Sequence, residues 1–383
     1  MKIIYSGFDK VEFSVQGNLS REVLDALETH RTEAEEQRSM VLATLGPGQL
    51  DAHVHDSGMK GGYRYRLDTG PCGVIVACKN NTNPNLWNLS VVIRAATLAT
   101  MGLDAALTLA WDTLEKLGAT VLSHSVRRID YAMDIRMAEW DLRLDSFVAH
   151  SRTTIHPHWG HDNPQPKHID LEPDSIIRGK RIETVALGRM PGRAVCVYDK
   201  RRKITSSPSE AWWYKVWGID PKTPDQEIMR VELRAGKREL KDKWQIVTFD
   251  DVRNSLADVF DALTKDVRYL ARHQSDSNVK RQRLDPVWEL VRTHLDTGLG
   301  EMRSGLTRDQ FKEVTREQAQ SIYEAQITGN AAGLVVAFGL TPEEAETGLP
   351  ELLRVLGSQA INDSTGHFQE RIRRAEARLR FKV

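Results

Sequence analysis

The chain has 383 residues, 40% of them hydrophobic and 28% charged, and its 53 basic and 53 acidic side chains leave it formally neutral. That length buries a large core and suggests two or three domains, and a composition without low-complexity runs excludes a disordered or fibrous chain. No apolar run reaches membrane-spanning length, and the opening Met1-Lys-Ile-Ile-Tyr-Ser-Gly-Phe lacks the core of a signal peptide, so a cytoplasmic protein with no membrane partner is expected.

In chain order, alternation predicts a strand over Lys10–Val15, followed by a long charged helix from about Ser20 to Leu45. His53-Val-His55 lies between Gly46-Pro-Gly48 and Asp56-Ser-Gly58 and reads as loop. Amphipathic helices are expected over Ser90–Thr100 and Asp104–Leu117, the second stopped by Gly118. Strands follow at Arg127–Ile135, Glu183–Leu187, Ala194–Asp199, Trp212–Val216 and Met229–Arg234. Between them, residues 151–180 gather His156, His158, His161 and His168 with four prolines and read as a polar insertion. Helices and strands interleave without a βαβ rhythm, which predicts an α+β fold with a largely antiparallel central sheet flanked by helices. No Gly-rich phosphate loop interrupts it, so no nucleotide-driven motor is expected. Beyond 250 the periodicity turns helical, over 251–272, 284–297, 307–327, 342–356 and 366–381. A domain 1–250 and a C-terminal helical domain 251–383 are therefore expected, with a linker over His273–Gln282.

Three strands carry chemistry. Successive strand side chains point to opposite faces, so Arg128, Asp130 and Asp134 share one face and Ile129, Tyr131, Met133 and Ile135 the other. In Met229–Arg234 the apolar Met229, Val231 and Leu233 oppose Arg230, Glu232 and Arg234. The third strand delivers Tyr198 into the cationic run Lys200, Arg201, Arg202 and Lys203, where a nucleophile facing phosphate would be placed. A phenol with a pKa near 10 is only about 0.1% ionised at neutral pH and needs activation. Lys200, two residues on and so on the same face, would favour phenolate, and Arg230 and Arg234 would clamp phosphate. On one straight strand Asp130 and Asp134 stand about 13 Å apart, whereas two oxygens bound to one magnesium lie within about 4 Å of each other. Asp130 and Glu232, on neighbouring strands, are therefore the better pair for a cation, with Asp134 in reserve. The bland alternatives stay open: strand acids neutralised by Arg128, Arg230 and Arg234, and a tyrosine that packs its ring and bonds its hydroxyl.

The order of pieces, Arg128-x-Asp130-x-x-x-Asp134, Leu187-Gly-Arg189, Val197-Tyr-Asp-Lys200 and Arg230-Val-Glu-Leu233, resembles the Rep_trans-type rolling-circle replication initiators of small plasmids and filamentous phages. Gly61-Gly-Tyr-Arg-Tyr65 and the helix ending at Leu117-Gly118 are compatible with it, and the resemblance covers about residues 1–245. It implies a sequence-specific origin nickase in which Tyr198 becomes linked to the 5′ phosphate of the nicked strand, frees a 3′ hydroxyl and permits later rejoining. Asp130, Asp134 and Glu232 would hold Mg2+ or Mn2+, Lys200 and Arg230 would assist the tyrosine, and Arg128, Arg201, Arg202, Lys203 and Arg234 would contact DNA. The partners implied are double-stranded origin DNA with a single-stranded nick site and, by analogy, a host helicase, a polymerase and a second copy of the chain. Residues 1–250 would be the nicking and strand-transfer domain and 251–383 an accessory domain for DNA or a partner.

Other readings compete. His53/His55 spell the His-apolar-His motif of another class of tyrosine nickases, ranked here below the carboxylate site and below no metal at all. Net neutrality is awkward for a DNA-binding protein, so binding would rest on local patches at 200–203, 237–243, 280–283 and 371–382. Trp212, Trp213 and Trp217 would pack on the sheet, with one left exposed to stack an unpaired base. Cys72, Cys78 and Cys196 have no metal spacing and fit free thiols. The alternative function is a non-enzymatic DNA-binding regulator or scaffold that keeps the fold.

Overall fold

In the computed structural model, residues 1–139, 141–149, 175–178, 181–223, 226–272, 276, 278–296, 299, 308–363 and 366–379 are described. The chain opens with a long strand β1 (Lys2–Asn18), then α1 (Arg21–Gln37). Ser20 caps α1 by accepting from the Val23 amide, and the helix ends at Arg38 in the left-handed region (φ 49°). The expected helix to Leu45 therefore stops short, and β2 (Val41–Leu45) pairs with β3 (Leu50–Val54), so His53 lies in a strand and not in a loop. Next come β4 (Tyr65–Asp68), β5 (Val74–Cys78) and β6 (Leu89–Arg94), the last occupying part of the expected helix 90–100. The helix α2 (Ala95–Lys116) is broken at Gly102 (φ 75°), close to the expected gap between two helices.

Then follow β7 (Thr120–Met137), β8 (Phe147–Ala149), β9 (Ser175–Arg178), β10 (Arg181–Gly188) and β11 (Arg193–Asp199). Two short helices, α3 (Lys200–Ser206) and α4 (Trp213–Trp217), precede β12 (Glu227–Gly236). Thr248 and Asp251 form a capping box for α5 (Phe249–Asp266), and β13 (Val267–Tyr269) pairs with β8. The chain closes with α6 (Pro286–Asp296), α7 (Arg308–Ala337), α8 (Pro342–Ile361) and α9 (His367–Leu379).

All the strands but β8 and β13 build one antiparallel sheet in the order β2-β3-β4-β5-β6-β1-β7-β12-β11-β10-β9, which bears out the expected α+β fold. One face is apolar throughout: Val11, Phe13, Ile129, Tyr131, Met133, Val195, Val197, Val231 and Leu233 lie in a single core. Helix α5 adds Val252, Leu256 and Phe260 to that core, and α6 adds Val287, Trp288 and Val291. The packed unit thus runs past residue 250, where a domain boundary was expected. In α7, α8 and α9 the one buried hydrophobic among the described residues is Ala331. No helix of the described residues is long and apolar enough to cross a membrane.

The opposite face is where charge collects. Its apolar part is a small cluster of Tyr5, Ile204, Trp212, Trp213, Trp217 and Ile228, joined by Ala96 and Ala99 of α2. The expected strand 212–216 is a helix instead, closed by Gly218 at φ 64°. Four-residue spacing puts Trp213 and Trp217 on one side of it, and all three tryptophans are buried, so none is left as a stacking platform. Cys72, Cys78 and Cys196 are free thiols, all buried.

Candidate active site

Strands β7, β12 and β11 lie side by side, and their register sets the site. Asp134 faces Arg230, which faces Tyr198; Ala132 faces Glu232, which faces Cys196; Asp130 faces Arg234. Directly opposed residues share a face of the sheet, so the expected acids, arginines and tyrosine form one strip. The sequence brings Asp130, Asp134, Tyr198, Arg230, Glu232 and Arg234 together.

Within the strip the charges are largely satisfied by one another. Arg230 is fully buried; its Nε and Nη2 reach the two Asp134 oxygens at 2.6 and 2.7 Å, and its Nη1 reaches Asp9 Oδ1 at 2.6 Å. The Trp213 ring lies 4.1 Å from its guanidinium carbon. Trp217 Nε1 donates to Asp134 Oδ2 at 2.8 Å. Arg230 therefore braces the tryptophan cluster against the sheet and is not open to a phosphate. Trp217→Phe removes the Asp134 donor and is expected to lower stability by about 1.5–3 kcal/mol, the range for a hydrogen bond to a charged group; urea unfolding measures it.

Arg128 holds both oxygens of Asp130 with contacts of 2.6 to 3.0 Å. Burial pushes the Asp130 carboxyl up to about 7 against the pull of Arg128. Arg234 Nε donates to Glu232 Oε1 at 2.8 Å, and the Tyr198 hydroxyl donates to Glu232 Oε2 at 3.1 Å. Burial alone would raise Glu232, but Arg234, Arg230 and Lys203 outweigh it and hold the carboxylate below its usual range. Tyr198, 4% exposed, is pushed well above the ordinary phenol range by burial and by the charges of Glu232 and Asp9, against Arg230 and Arg234. The hydroxyl is thus buried but sits among acids and guanidiniums.

The basic run differs from expectation. Asp199 caps α3 by accepting from the Arg202 amide at 2.9 Å, so the strand ends at Tyr198-Asp199 and Lys200 does not continue on its face. Lys200 is buried, paired with Glu210 and set 5.1 Å from the Trp213 ring; burial and the nearby Arg230 lower it to about 8. Arg201 is spent on the carbonyls of Gln226, Pro221 and Thr223, bracing the approach to β12. Arg202 pairs with Glu183 at 2.6 Å yet stays 47% exposed. Lys203 is exposed and stands 4.8 Å from the Tyr198 ring centre, one helical turn past the N-cap. Its ammonium, and not that of Lys200, covers the tyrosine.

Sequence reasoning missed Asp9. Between Phe8↔Tyr131 and Lys10↔Asp130 the β1–β7 register slips by one residue, and Asp9 is the extra. Such a bulge re-aims a side chain, here onto the polar strip. A signal was present: counting back by twos from Val15, Phe13 and Val11, position 9 belongs to the core face, where an aspartate does not fit. A second slip between Glu12↔Arg128 and Phe13↔Val126 makes Arg127 extra in the same way; its Nη2 donates to Ser90 Oγ at 2.7 Å.

The expected Mg2+ or Mn2+ finds no open donor set here. Both oxygens of Asp130, Asp134 and Glu232 are engaged by Arg128, Arg230, Arg234, Trp217 or Tyr198. Among the described residues no three His, Cys, Asp or Glu side chains are grouped to hold a cation. His53 is buried on β3, across the sheet from the strip by strand order. His156, His158, His161 and His168 lie outside the described residues.

No protein-family model and no curated protein matches the chain. Among solved structures it is similar to a rolling circle replication initiator protein from Geobacillus stearothermophilus, with 13% identity and a TM-score of 0.39 over 79% of this chain and 98% of that one.

Proposed function

We propose that the chain is a rolling-circle replication initiator that nicks one DNA strand through Tyr198 and later rejoins it. The observation that carries this reading is the Tyr198 hydroxyl bonded to Glu232 on a strip of charged residues, with Lys203 over its ring. Tyr5, on the same face, packs edge-on against Trp213, whereas the Tyr198 hydroxyl is bonded to a carboxylate. The order of motifs in the sequence supports the same reading.

In this account Glu232 orients the hydroxyl by accepting its hydrogen bond, and Arg234 fixes Glu232 in turn. Lys203 and Arg202, the exposed cations beside the tyrosine, attract the backbone of a single strand, and Lys203 offsets charge as it builds on phosphate. Exchanging one phosphate ester for a phosphotyrosine ester conserves the bond energy, so rejoining needs no nucleotide. Arg128 and Arg234 add positive charge at the site's floor, and binding weakens with salt as phosphates are neutralised.

Covalent capture tests this. The full chain is incubated, with and without magnesium or manganese, with a random-sequence single-stranded DNA pool able to form hairpins, and adducts that survive denaturant are recovered and sequenced. The reading predicts adducts with a shared cleavage sequence, formed equally well by His53→Ala. Specific DNA binding without any adduct would instead favour a non-enzymatic regulator.

A further inference from the structure

On the far side of the sheet from Tyr198, α2 and α5 part around a cavity of about 440 Å³, a size that takes a small molecule. Asp104, Thr108 and Trp111 line it from α2, at the four- and three-residue spacing that shares one helix face. Phe249, Asp250 and Arg253 line it from the first turns of α5, and His124 of β7 completes it. His124 faces Val15 across the β1–β7 ladder, which places the cavity on the side of the apolar core and not of the charged strip.

Three aromatic rings meet there. The His124 imidazole stacks on Phe249 at 5.3 Å with 16° between the planes, and Trp111 stands edge-on to it at 5.4 Å. Trp111 is half-buried and packs on Phe13, yet no described residue accepts a hydrogen bond from its indole N–H, whereas Trp217, Trp244 and Trp288 each have an acceptor. A packed indole usually finds such a partner. The Phe249 amide donates to His124 Nε2 at 3.4 Å, which leaves the proton of the neutral ring on Nδ1. Burial holds that imidazole below its usual range, against the pull of Asp250 and Asp251. Thr108 donates its hydroxyl proton to the Asp104 carbonyl and keeps lone pairs for a ligand. Arg253 reaches Asp104 at 2.5 Å and Asp250 at 3.0 Å, tying the two helices together. The two acids thus already have their cation, and the three side chains together carry one net negative charge.

We propose that this cavity binds a nucleobase, its ring packed against Trp111 and His124 and its edge hydrogen-bonded to the Trp111 N–H and the Thr108 hydroxyl. A lining of aromatic rings suits a planar ligand, and one donor with one acceptor suits an edge that carries both. A second cation would have to displace Arg253 from Asp104 and Asp250. A phosphate would meet the net negative charge of those side chains, so a base or nucleoside is favoured over a nucleotide. The base can arrive as a free nucleoside or as an unpaired base of DNA. This site goes beyond the tyrosine chemistry and does not depend on it, since it lies across the sheet from Tyr198.

The test is calorimetric titration of the full chain with each deoxynucleoside, the matching 5′-monophosphates, a single-stranded oligonucleotide and, as a cationic probe, an arginine amide. At least one nucleoside is expected to bind, and its monophosphate more weakly. Trp111→Leu should weaken the binding by about tenfold or more, the loss of a base–aromatic stack. Because Trp111 also packs on Phe13, Thr108→Phe serves as the second variant: it fills the cavity from an exposed helix position and should abolish binding while urea unfolding stays as in the wild type. An oligonucleotide that competes with the nucleoside on the wild type identifies an unpaired DNA base as the source, and one that does not compete identifies the free nucleoside. The proposal is overturned if no nucleoside binds, if binding survives T108F, or if the arginine amide binds more tightly than every nucleoside, which would make the cavity a slot for a cationic side chain. Nucleoside binding by a chain that forms no DNA adduct leaves this site standing and counts only against the function proposed above.

Discussion

Tyr198→Phe is expected to abolish the denaturant-resistant DNA adduct while leaving DNA binding intact. The substitution removes one oxygen and leaves the ring, its packing and the Lys203 ammonium 4.8 Å away unaltered. What it deletes is the atom that attacks phosphorus; of the other tyrosines nearby, Tyr5 is buried edge-on against Trp213 and Tyr214 packs against the tryptophan cluster from α4. The fold pays modestly. Glu232 Oε2 loses the donor that reached it at 3.1 Å, and a buried acceptor left unsatisfied costs about 1–3 kcal/mol. Gel analysis after denaturant reads the adduct, and fluorescence anisotropy with labelled single-stranded DNA reads the binding. An adduct from Y198F would identify a different nucleophile.

Arg230→Met is expected to cost the most stability, about 3–5 kcal/mol, because removing one member of a buried ion pair leaves the partner charge uncompensated. Here two partners lose out, Asp134 and Asp9, and Trp213 loses the cation on its face. The loss carries a pH signature. Asp9 is already raised in the folded chain, and Arg230 is the strongest influence holding it down. Without Arg230 its folded value rises further above the unfolded one. A group raised on folding contributes stability that is fully present below its unfolded pKa and disappears as pH climbs through the folded value. The variant should therefore fall furthest behind the wild type at neutral and higher pH and recover part of the deficit in mild acid. Urea unfolding across that range measures it, and a deficit independent of pH would mean that Asp9 is not coupled to Arg230 as the 2.6 Å contact implies.

Much of the fold was legible because alternation is a strong signal wherever one sheet face is buried. The expected strands Arg127–Ile135, Ala194–Asp199 and Met229–Arg234 all fall within β7, β11 and β12, and their polar faces do converge. The misreadings have physical causes. Helix α1 ends at Arg38 without a glycine, so nothing in the sequence marked its stop. Ser90-Val-Val-Ile-Arg94 is a short apolar run that periodicity alone does not assign to helix or strand. Lys200 was placed on the face of Tyr198 by extending a strand that Asp199 in fact ends as a helix cap; Asp before a polar run was an available cap signal. The tryptophans at 213 and 217 fit helical spacing better than alternation.

Part of the site was less accessible to sequence, since a list of acids and bases does not say who neutralises whom. Of the two readings of Arg128, Arg230 and Arg234, phosphate contacts or neutralised strand acids, the ion pairs with Asp130, Asp134 and Glu232 match the second. Strict alternation assigns Asp9 to the core face, a misfit that signals a bulge but does not say onto which residues the side chain is re-aimed. It lies more than 100 residues in sequence from each of its site partners, so only the strand order β1-β7-β12-β11 brings it near Tyr198.

The most direct measurement is a mass spectrum of the peptide that stays attached to DNA after the captured adduct is digested with a protease. The account predicts a single nucleotide-bearing peptide that contains Tyr198, with the added mass on that residue and the phosphate at the 5′ end of the cut strand. Attachment through any other residue, or a cut strand that carries no peptide, would contradict it.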